Sequence, residues 1–334
     1  MAALALSPAA LDWVLRAVPD QQLRQVHPLP GSTSASLHRL AFQSGFHAVL
    51  RQFDLLPNWL VSEPDLARHE AHSLMRAARA GLPTPELIAF DETGAEAGSP
   101  SVLMTCLPGE VDLNPPDRHL WLDGLAAALT DIHAVSPVGF GWAYAPYSDV
   151  GQLTLPTWTS VPDAWSRAMT QLQEPPPTFT PTFIHRDFHP ANVLWQADQV
   201  SGVVDWVNAC AGPAGADVGH CQVNLAQMYG LEAADAFKAA YERRTGQHQH
   251  RYWDLLGLAD FMNGDEPPHV YPGWPALGLT GLTDEVVQTR LDRYLVRLLG
   301  DDNGTSRSGS LLSLEAPAGN VAAPVRRLPR LRKT

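Results

Sequence analysis

Three polar residues in the stretch 183–206 have the types and the spacing to do chemistry together. The stretch is FIHRDFHPANVLWQADQVSGVVDW, and it carries Asp187, then Asn192, then Asp205 after the next apolar run. Each lies at the edge of an apolar segment, where a carboxylate costs free energy unless it is paired or binds a metal. Carboxylate and amide oxygens suit a hard divalent cation. A base beside two such ligands is what phosphoryl transfer to a hydroxyl group requires.

The order and spacing of these residues make the pattern specific. The spacing D-x4-N, followed by an aspartate after the next strand, is the arrangement of a kinase catalytic loop. In the purely structural alternative the three side chains only cap the turns of a β-hairpin. That alternative explains each residue singly but not their joint spacing, so the pattern favours a catalytic and metal-binding role.

The elements that must position this stretch can be predicted from hydrophobic periodicity and turn residues. Before it, the runs LRQVHPL, LHRLAF and FHAVLRQF, separated by Gly and Ser, predict three antiparallel strands over 23–53. We predict a helix over 8–18 and a second helix that starts near Ser62 and stops at Gly81. The segments LIAFDETG and SVLMTCL predict two further strands.

The second half of the chain is predicted to be mainly helical. Apolar residues recur at helical spacing over 117–133, which predicts a core helix. Residues 136–180 are predicted to be mainly loop. Helices are predicted again over 217–228 and in LEAADAFKAAYERRTG, and the segment 265–281 is predicted to be a long loop.

Composition limits the class of protein. The chain has 334 residues, of which 45% are hydrophobic and 17% charged, as is typical of a globular protein of about two domains. A formal net charge of -12 argues against binding nucleic acid, because that needs basic residues on the phosphates. Three cysteines give no disulfide framework. No apolar run is long enough to span a membrane, so we expect a soluble cytoplasmic protein.

The segments FIHRDFHPANVLW, GVVDW and GPAGAD resemble the aminoglycoside phosphotransferase and choline kinase family, relatives of the protein kinases. The resemblance covers roughly residues 23–300. It implies an α+β, bilobal protein-kinase-like fold with a small antiparallel-sheet N-lobe and a larger, mainly helical C-lobe. The implied divisions are a nucleotide-binding lobe over 1–104, an interlobe linker over 105–110 and a catalytic and acceptor-binding lobe over 111–300. The stretch 301–334 is rich in Gly and Ser and then basic, which predicts a flexible tail.

The resemblance also implies roles for single residues. Asp187 matches the family's catalytic aspartate, and Asn192 and Asp205 match its Mg²⁺ ligands. Asp217, after GPAGA, matches the aspartate that braces the catalytic loop, and we expect His185 to hold that loop in place.

For the nucleotide, the resemblance implies ATP. Glu70 matches a helix glutamate that pairs with a basic residue of the third strand, which is Arg51 here and lysine in protein kinases. Arginine can contact phosphates and pair with a carboxylate. The other nucleotide contacts implied by the resemblance lie in a phosphate-covering loop and in the linker backbone: Gly31, Ser32, Thr105 and Leu107.

The expected function is therefore ATP- and Mg²⁺-dependent phosphorylation of a small-molecule hydroxyl group. A nucleotide-binding pseudokinase acting as a scaffold is an alternative, but a scaffold need not keep a complete base and metal set. A protein kinase is another, but the phosphate loop has one glycine and no A-P-E follows Asp205.

The acceptor is expected to approach from the segment 253–285, where aromatic and acidic residues alternate. Asp260 and Trp274 are the candidate contacts, because carboxylates and aromatic faces suit a cationic or polyhydroxy ligand. In the alternative interpretation the aromatics pack inward and the acidic residues are merely solvated. The acceptor itself and the oligomeric state stay open.

Cys210, His220 and Cys221 raise the question of a zinc site. No C-x2-C spacing occurs and a fourth ligand is not apparent, which favours ordinary core cysteines.

Overall fold

The computed structural model describes residues 6–29, 35–55, 60, 63–262 and 266–300. The phosphate-loop residues Gly31 and Ser32, the predicted helix start at Ser62 and the predicted tail 301–334 lie outside the described residues.

The first part of the chain forms a five-stranded antiparallel sheet in the order β1-β2-β3-β5-β4. Its strands are β1 (Leu23–Pro28), β2 (Ser36–Phe42), β3 (His47–Gln52), β4 (Leu87–Asp91) and β5 (Ser101–Thr105). The three strands predicted over 23–53 and the two that follow are confirmed.

One helix packs on each face of this sheet. The helix α1 (Pro8–Ala17), capped by the Ser7 hydroxyl, shares an apolar cluster with Leu50 of β3 and Leu103 of β5. The helix α2 (Leu66–Ala77) packs with Val102 on the other face. Because side chains alternate along a strand, Arg51 points to the face opposite Leu50, which is the face of α2.

The second helix begins later than predicted. Its first residue is Leu66, with Asp65 before it, and the Asp65 side chain makes no cap hydrogen bond. The Asp65 carboxylate instead accepts hydrogen bonds from Arg68 at 3.0 Å and from the Trp142 indole at 3.3 Å.

Two small sheets and most of the helices make up the second part of the chain. The strands β6 (Glu110–Val111), β8 (Val193–Gln196) and β9 (Gln199–Val203) form one sheet, and β7 (Thr182–Ile184) pairs with β10 (Cys210–Gly212). The helices are α3 (Arg118–His133), α4 (Pro162–Leu172), α5 (Ala214–Tyr229), α6 (Leu231–Thr245), α7 (Arg251–Ala259), α8 (Gly273–Ala276) and α9 (Asp284–Gly300). None of the described helices is both long and apolar enough to cross a lipid bilayer.

The prediction of a loop over 136–180 is wrong for residues 162–172, which form α4. Pro162 starts this helix, where a missing N–H costs nothing. Its apolar face is buried, and the Trp165 indole donates to Asp292 of α9 at 2.8 Å. The predicted loop 265–281 likewise contains the short helix α8.

The helix α5 lies at the centre of the helical part, against α6, α7 and α9. Gly219 permits its close approach to α7, since a Cβ there would lie 2.4 Å from the Trp253 carbonyl oxygen. Asp254 of α7 is fully buried and accepts from the Gln222 amide of α5 at 2.7 Å. It also accepts from Gln249 at 2.7 Å and lies 3.6 Å from the Lys238 ammonium.

We predict that Asp254→Asn changes how stability depends on pH. Burial raises the pKa of the Asp254 carboxyl from 3.8 to about 6, although Lys238 and the two amides oppose the rise. The folded protein then binds more protons than the unfolded chain between these values, so the free energy of unfolding falls as the pH rises through them.

Asparagine does not titrate. The free energy of unfolding of Asp254→Asn, relative to that of the wild type, should therefore increase by roughly 2–3 kcal/mol as the pH rises from about 4 to about 6. Urea unfolding of both proteins across this range measures the difference, and a difference that stays constant with pH would contradict the prediction.

Candidate functional site

The hairpin of β8 and β9 brings Asn192 and Asp205 together. Its register pairs Val193 with Val203, so Asn192 lies opposite Val204. The Val204 N–H donates to the Asn192 carbonyl at 2.9 Å. Asp205 follows directly, in a left-handed conformation with φ 68° that non-glycine residues rarely adopt. Strain of this kind is common at functional sites.

The side chain of Asn192 links the two ends of the D-x4-N spacing. Its Nδ2 donates to the Asp187 carbonyl at 2.9 Å, and its exposed fraction is 8%. This bond fixes the amide, so that Oδ1, the atom able to ligate a cation, faces away from that carbonyl. Asn192 and Asp205 thus offer an amide oxygen and a carboxylate from one hairpin, a donor set that Mg²⁺ favours.

Asp217 holds the backbone that leads to Asp187. Its carboxylate is fully buried and accepts from the backbone N–H of His185 at 2.8 Å and of Arg186 at 2.6 Å. The His133 ring donates to the same carboxylate at 3.2 Å. Arg186 has φ 66°, and these bonds stabilise that strained backbone. The predicted bracing contact between Asp217 and the loop is present.

His185 is a fully buried residue of the same loop. Its Nε2 lies 2.9 Å from the Val204 carbonyl, so this nitrogen carries the proton and donates. The ring also packs against Trp206 with 4.6 Å between centroids. Both contacts tie the loop to the hairpin, as expected of a structural residue.

Arg51 of β3 joins the two parts of the chain. Its guanidinium donates to Glu70 of α2 at 2.9 Å and to Asp205 at 2.8 Å. Arg51 is 5% exposed and Glu70 1%. Burial opposes ionisation of Arg51, but the Asp205 and Glu70 carboxylates outweigh it and raise its pKa. The ion pair predicted between Arg51 and Glu70 is confirmed, while the bond to Asp205 was not predicted.

Asp187 has a partner that the sequence analysis missed. The His220 Nε2 lies 3.0 Å from its Oδ1, and the His189 Nε2 lies 3.8 Å from the same oxygen. His220 follows Asp217 by three positions on α5, so both face the catalytic loop. That three-residue spacing was the feature of the sequence from which the contact of His220 with Asp187 could have been predicted. The sequence analysis considered His220 only with Cys210 and Cys221, which are buried in the core.

The linker is fixed against both parts of the chain. The Thr105 N–H donates to the Glu86 carbonyl at 2.9 Å, so it is committed within the sheet. Leu107 packs on Gly202 of β9, where a Cβ would lie 2.3 Å from the leucine. The Ser201 hydroxyl donates to the Pro108 carbonyl at 2.7 Å.

Of the two expected acceptor contacts, one side chain is buried and the other is exposed. Trp274 is only 2% exposed and packs in the core, so for this residue the inward-packing alternative is correct. Asp260 is exposed and accepts from the Ser148 hydroxyl at 2.9 Å. Tyr271 is half-buried, and burial together with the charges of Asp187 and Asp205 raises its pKa.

Comparison with known proteins is consistent with this site. A family described as "Phosphotransferase enzyme family" matches residues 12–254. No sequence among the curated proteins matches.

Solved structures resemble the whole described fold. Aminoglycoside phosphotransferase APH(4)-Ia is 15% identical with a TM-score of 0.58, over 89% of this chain and 99% of that one. Its thermostable mutant in a ternary complex with AMP-PNP and hygromycin B is 16% identical with a TM-score of 0.59, over 88% and 99%. Macrolide 2'-phosphotransferase MphH from Brachybacterium faecium is 16% identical with a TM-score of 0.54, over 86% and 98%. These likenesses establish the fold, a bilobal kinase-like α+β fold.

We predict that Arg51→Ala lowers the free energy of unfolding by about 3–5 kcal/mol, because Glu70 is left buried without its partner. Arg51→Lys should lose less, since one ammonium can retain one of the two pairs. Arg16→Ala is the control: it breaks an ion pair of 3.0 Å to Glu96 whose side chains are 57% and 63% exposed. Denaturant unfolding should show a loss below about 1 kcal/mol there. Equal losses at positions 16 and 51 would contradict the account.

Proposed function

Because the chain belongs to the phosphotransferase enzyme family, we propose that it transfers the γ-phosphoryl group of ATP, with Mg²⁺, to a hydroxyl group of a small molecule. The observation that carries the proposal is the set of Asp187, Asn192 and Asp205 on one braced loop and hairpin. A base and two oxygen ligands at this spacing are the parts that phosphoryl transfer needs.

Asp187 is the proposed catalytic base. Its carboxylate is 24% exposed, so an acceptor hydroxyl can reach it. The acceptor oxygen would form a bond to the γ-phosphorus while the bond to the ADP oxygen breaks, and the hydroxyl proton would pass to the Asp187 carboxylate. The His220 Nε2 lies 3.0 Å from Oδ1 and Asp217 fixes the backbone, so the carboxylate is oriented before the acceptor arrives.

Asn192 and Asp205 are the proposed Mg²⁺ ligands. Both offer oxygen atoms, and the Asp205 carboxylate is one-third exposed while Arg51 holds its Oδ1. When bound, the metal ion would neutralise the charge that develops on the phosphate oxygens. The two residues hold that position because the hairpin register sets one beside the other.

The nucleotide is proposed to lie between the sheet and the hairpin, against a linker at 105–110 that divides the lobes. The Arg51 guanidinium, which binds Asp205 at 2.8 Å, places a positive charge beside the proposed position of the phosphates. At the linker we propose the Leu107 backbone as the adenine contact, since the Thr105 N–H is committed to Glu86. The AMP-PNP complex of a similar structure supports a nucleotide ligand.

The acceptor is proposed to bind beside Tyr271. Asp260 stays a candidate contact, because it is exposed and its carboxylate already receives one hydroxyl donor from Ser148. The hygromycin B complex of a similar structure supports a polyhydroxy acceptor class.

We predict that Asp187→Asn lowers turnover by about 10²–10⁴, the usual contribution of a positioned base. ADP release with a panel of aminoglycosides, macrolides, amino alcohols and sugars first identifies an acceptor. Calorimetric titration with Mg-ATP should then show nearly unchanged affinity in the variant. Asp198→Asn, on the exposed turn of the same hairpin, is the control and should keep full turnover. Near wild-type turnover in Asp187→Asn would refute the catalytic assignment.

A second prediction concerns the acceptor site. Tyr271→Phe should raise KM for the acceptor severalfold at unchanged kcat, because a hydroxyl contact made equally in ground and transition states affects binding alone. Affinity for Mg-ATP should not change. Tyr252→Phe, at a tyrosine of α7 that packs on Trp253, serves as the control. If both variants have the wild-type KM, Tyr271 does not contact the acceptor.

A further inference from the structure

Two imidazole rings converge on one oxygen of Asp187. His220 comes from α5 and His189 from the catalytic loop, and their Nε2 atoms lie 3.0 and 3.8 Å from Oδ1. The two rings lie side by side, with 5.9 Å between centroids. One ligand atom from each of the three residues lies within 4.8 Å of the others.

We propose that Asp187, His189 and His220 form a binding site for a divalent cation of the Zn²⁺ class, with ligands other than the proposed Mg²⁺ ligands Asn192 and Asp205, although Asn192 borders it. The donor set is two imidazole nitrogens and one carboxylate oxygen. Zn²⁺ and its neighbours in the first transition row favour this set, whereas Mg²⁺ favours oxygen alone. Three protein ligands leave a fourth position open for water.

The distances suit such an ion. Zn²⁺ binds nitrogen and oxygen at about 2.0–2.2 Å, so two ligands of a tetrahedral site lie roughly 3.4 Å apart. The observed 3.0 and 3.8 Å lie on either side of this value. Changes of about 0.4 Å would bring each of these two nitrogen–oxygen distances to the tetrahedral value. All three side chains are partly exposed, at 24%, 16% and 11%, so an ion can enter.

Three contacts have to change. The Asn192 amide nitrogen lies 3.3 Å from the His189 Nε2 and the Asn224 amide nitrogen lies 3.3 Å from the His220 Nε2, so both amides must turn away from the ring nitrogens that would bind the ion. The His189 Nδ1 accepts from the Ala191 N–H at 3.2 Å, so in the neutral ring Nε2 carries the proton. Coordination through Nε2 moves that proton to Nδ1 and gives up this bond. The bond is long for its type, so its loss costs little beside three metal–ligand bonds.

A metal ion bound at this site would coordinate the Asp187 carboxylate. A coordinated carboxylate could not accept the proton of the acceptor hydroxyl group. Binding itself does not depend on the proposed function, but this inhibitory consequence does. If the proposed function holds, micromolar Zn²⁺ should inhibit turnover even with excess Mg²⁺.

The test is calorimetric titration of the full chain with Zn²⁺ in buffer that contains saturating Mg²⁺, which keeps the oxygen ligands occupied. We expect one saturable site per chain. His220→Gln keeps a polar side chain but removes the imidazole, and it should weaken Zn²⁺ binding at least about tenfold. His189→Gln should do the same. His248→Gln is the matched control, because the side chain of His248 is 95% exposed and remote from the cluster.

Two readouts keep the test independent of folding and of activity. Replacing Zn²⁺ by Co²⁺ in the wild-type protein should give the intense visible absorption of a four-coordinate nitrogen and oxygen site. Circular dichroism should show that the variants are folded. No saturable Zn²⁺ binding in the wild type would overturn the proposal, as would binding that both His220→Gln and His189→Gln leave unchanged. Absence of phosphotransferase activity would refute the proposed function and leave the binding result intact.

Discussion

The site depends on one buried guanidinium, that of Arg51. It pairs with Glu70 on α2 and with Asp205, which lies 154 positions away in the sequence. Two carboxylates this close repel each other in a medium of low dielectric constant, and a single guanidinium with two separated donors offsets part of that repulsion. Arg51 thus connects the sheet, the helix α2 and the hairpin of β8 and β9.

The loop that carries Asp187 is fixed by another buried carboxylate, that of Asp217. Asp217 accepts two backbone N–H groups and the His133 ring, and it belongs to α5, the most enclosed helix of the helical part. Loops are ordinarily mobile, so a catalytic geometry on a loop needs such support. The same helix provides His220, so one element both braces the backbone of the loop and orients the Asp187 side chain.

Features that depend on local sequence patterns could be predicted from the sequence. Contacts between segments far apart in the chain could not. The family resemblance paired Arg51 with Glu70, and the D-x4-N spacing placed Asn192 beside Asp187. The bond from Arg51 to Asp205 depends on how the two parts of the chain close on each other, which no local pattern encodes. Trp274 was misassigned because an aromatic residue in a proline-rich segment can face solvent or core equally well. The helix α4 was not predicted, because the sequence around it is rich in proline.

The most direct test of the account is a crystal structure of the protein with Mg²⁺ and a non-hydrolysable ATP analogue. The account predicts the adenine against the Leu107 backbone and the metal ion coordinated by Asn192 and Asp205. The terminal phosphate should then lie within reach of an acceptor held at Asp187. A nucleotide bound elsewhere, or a metal ion that contacts neither Asn192 nor Asp205, would contradict it.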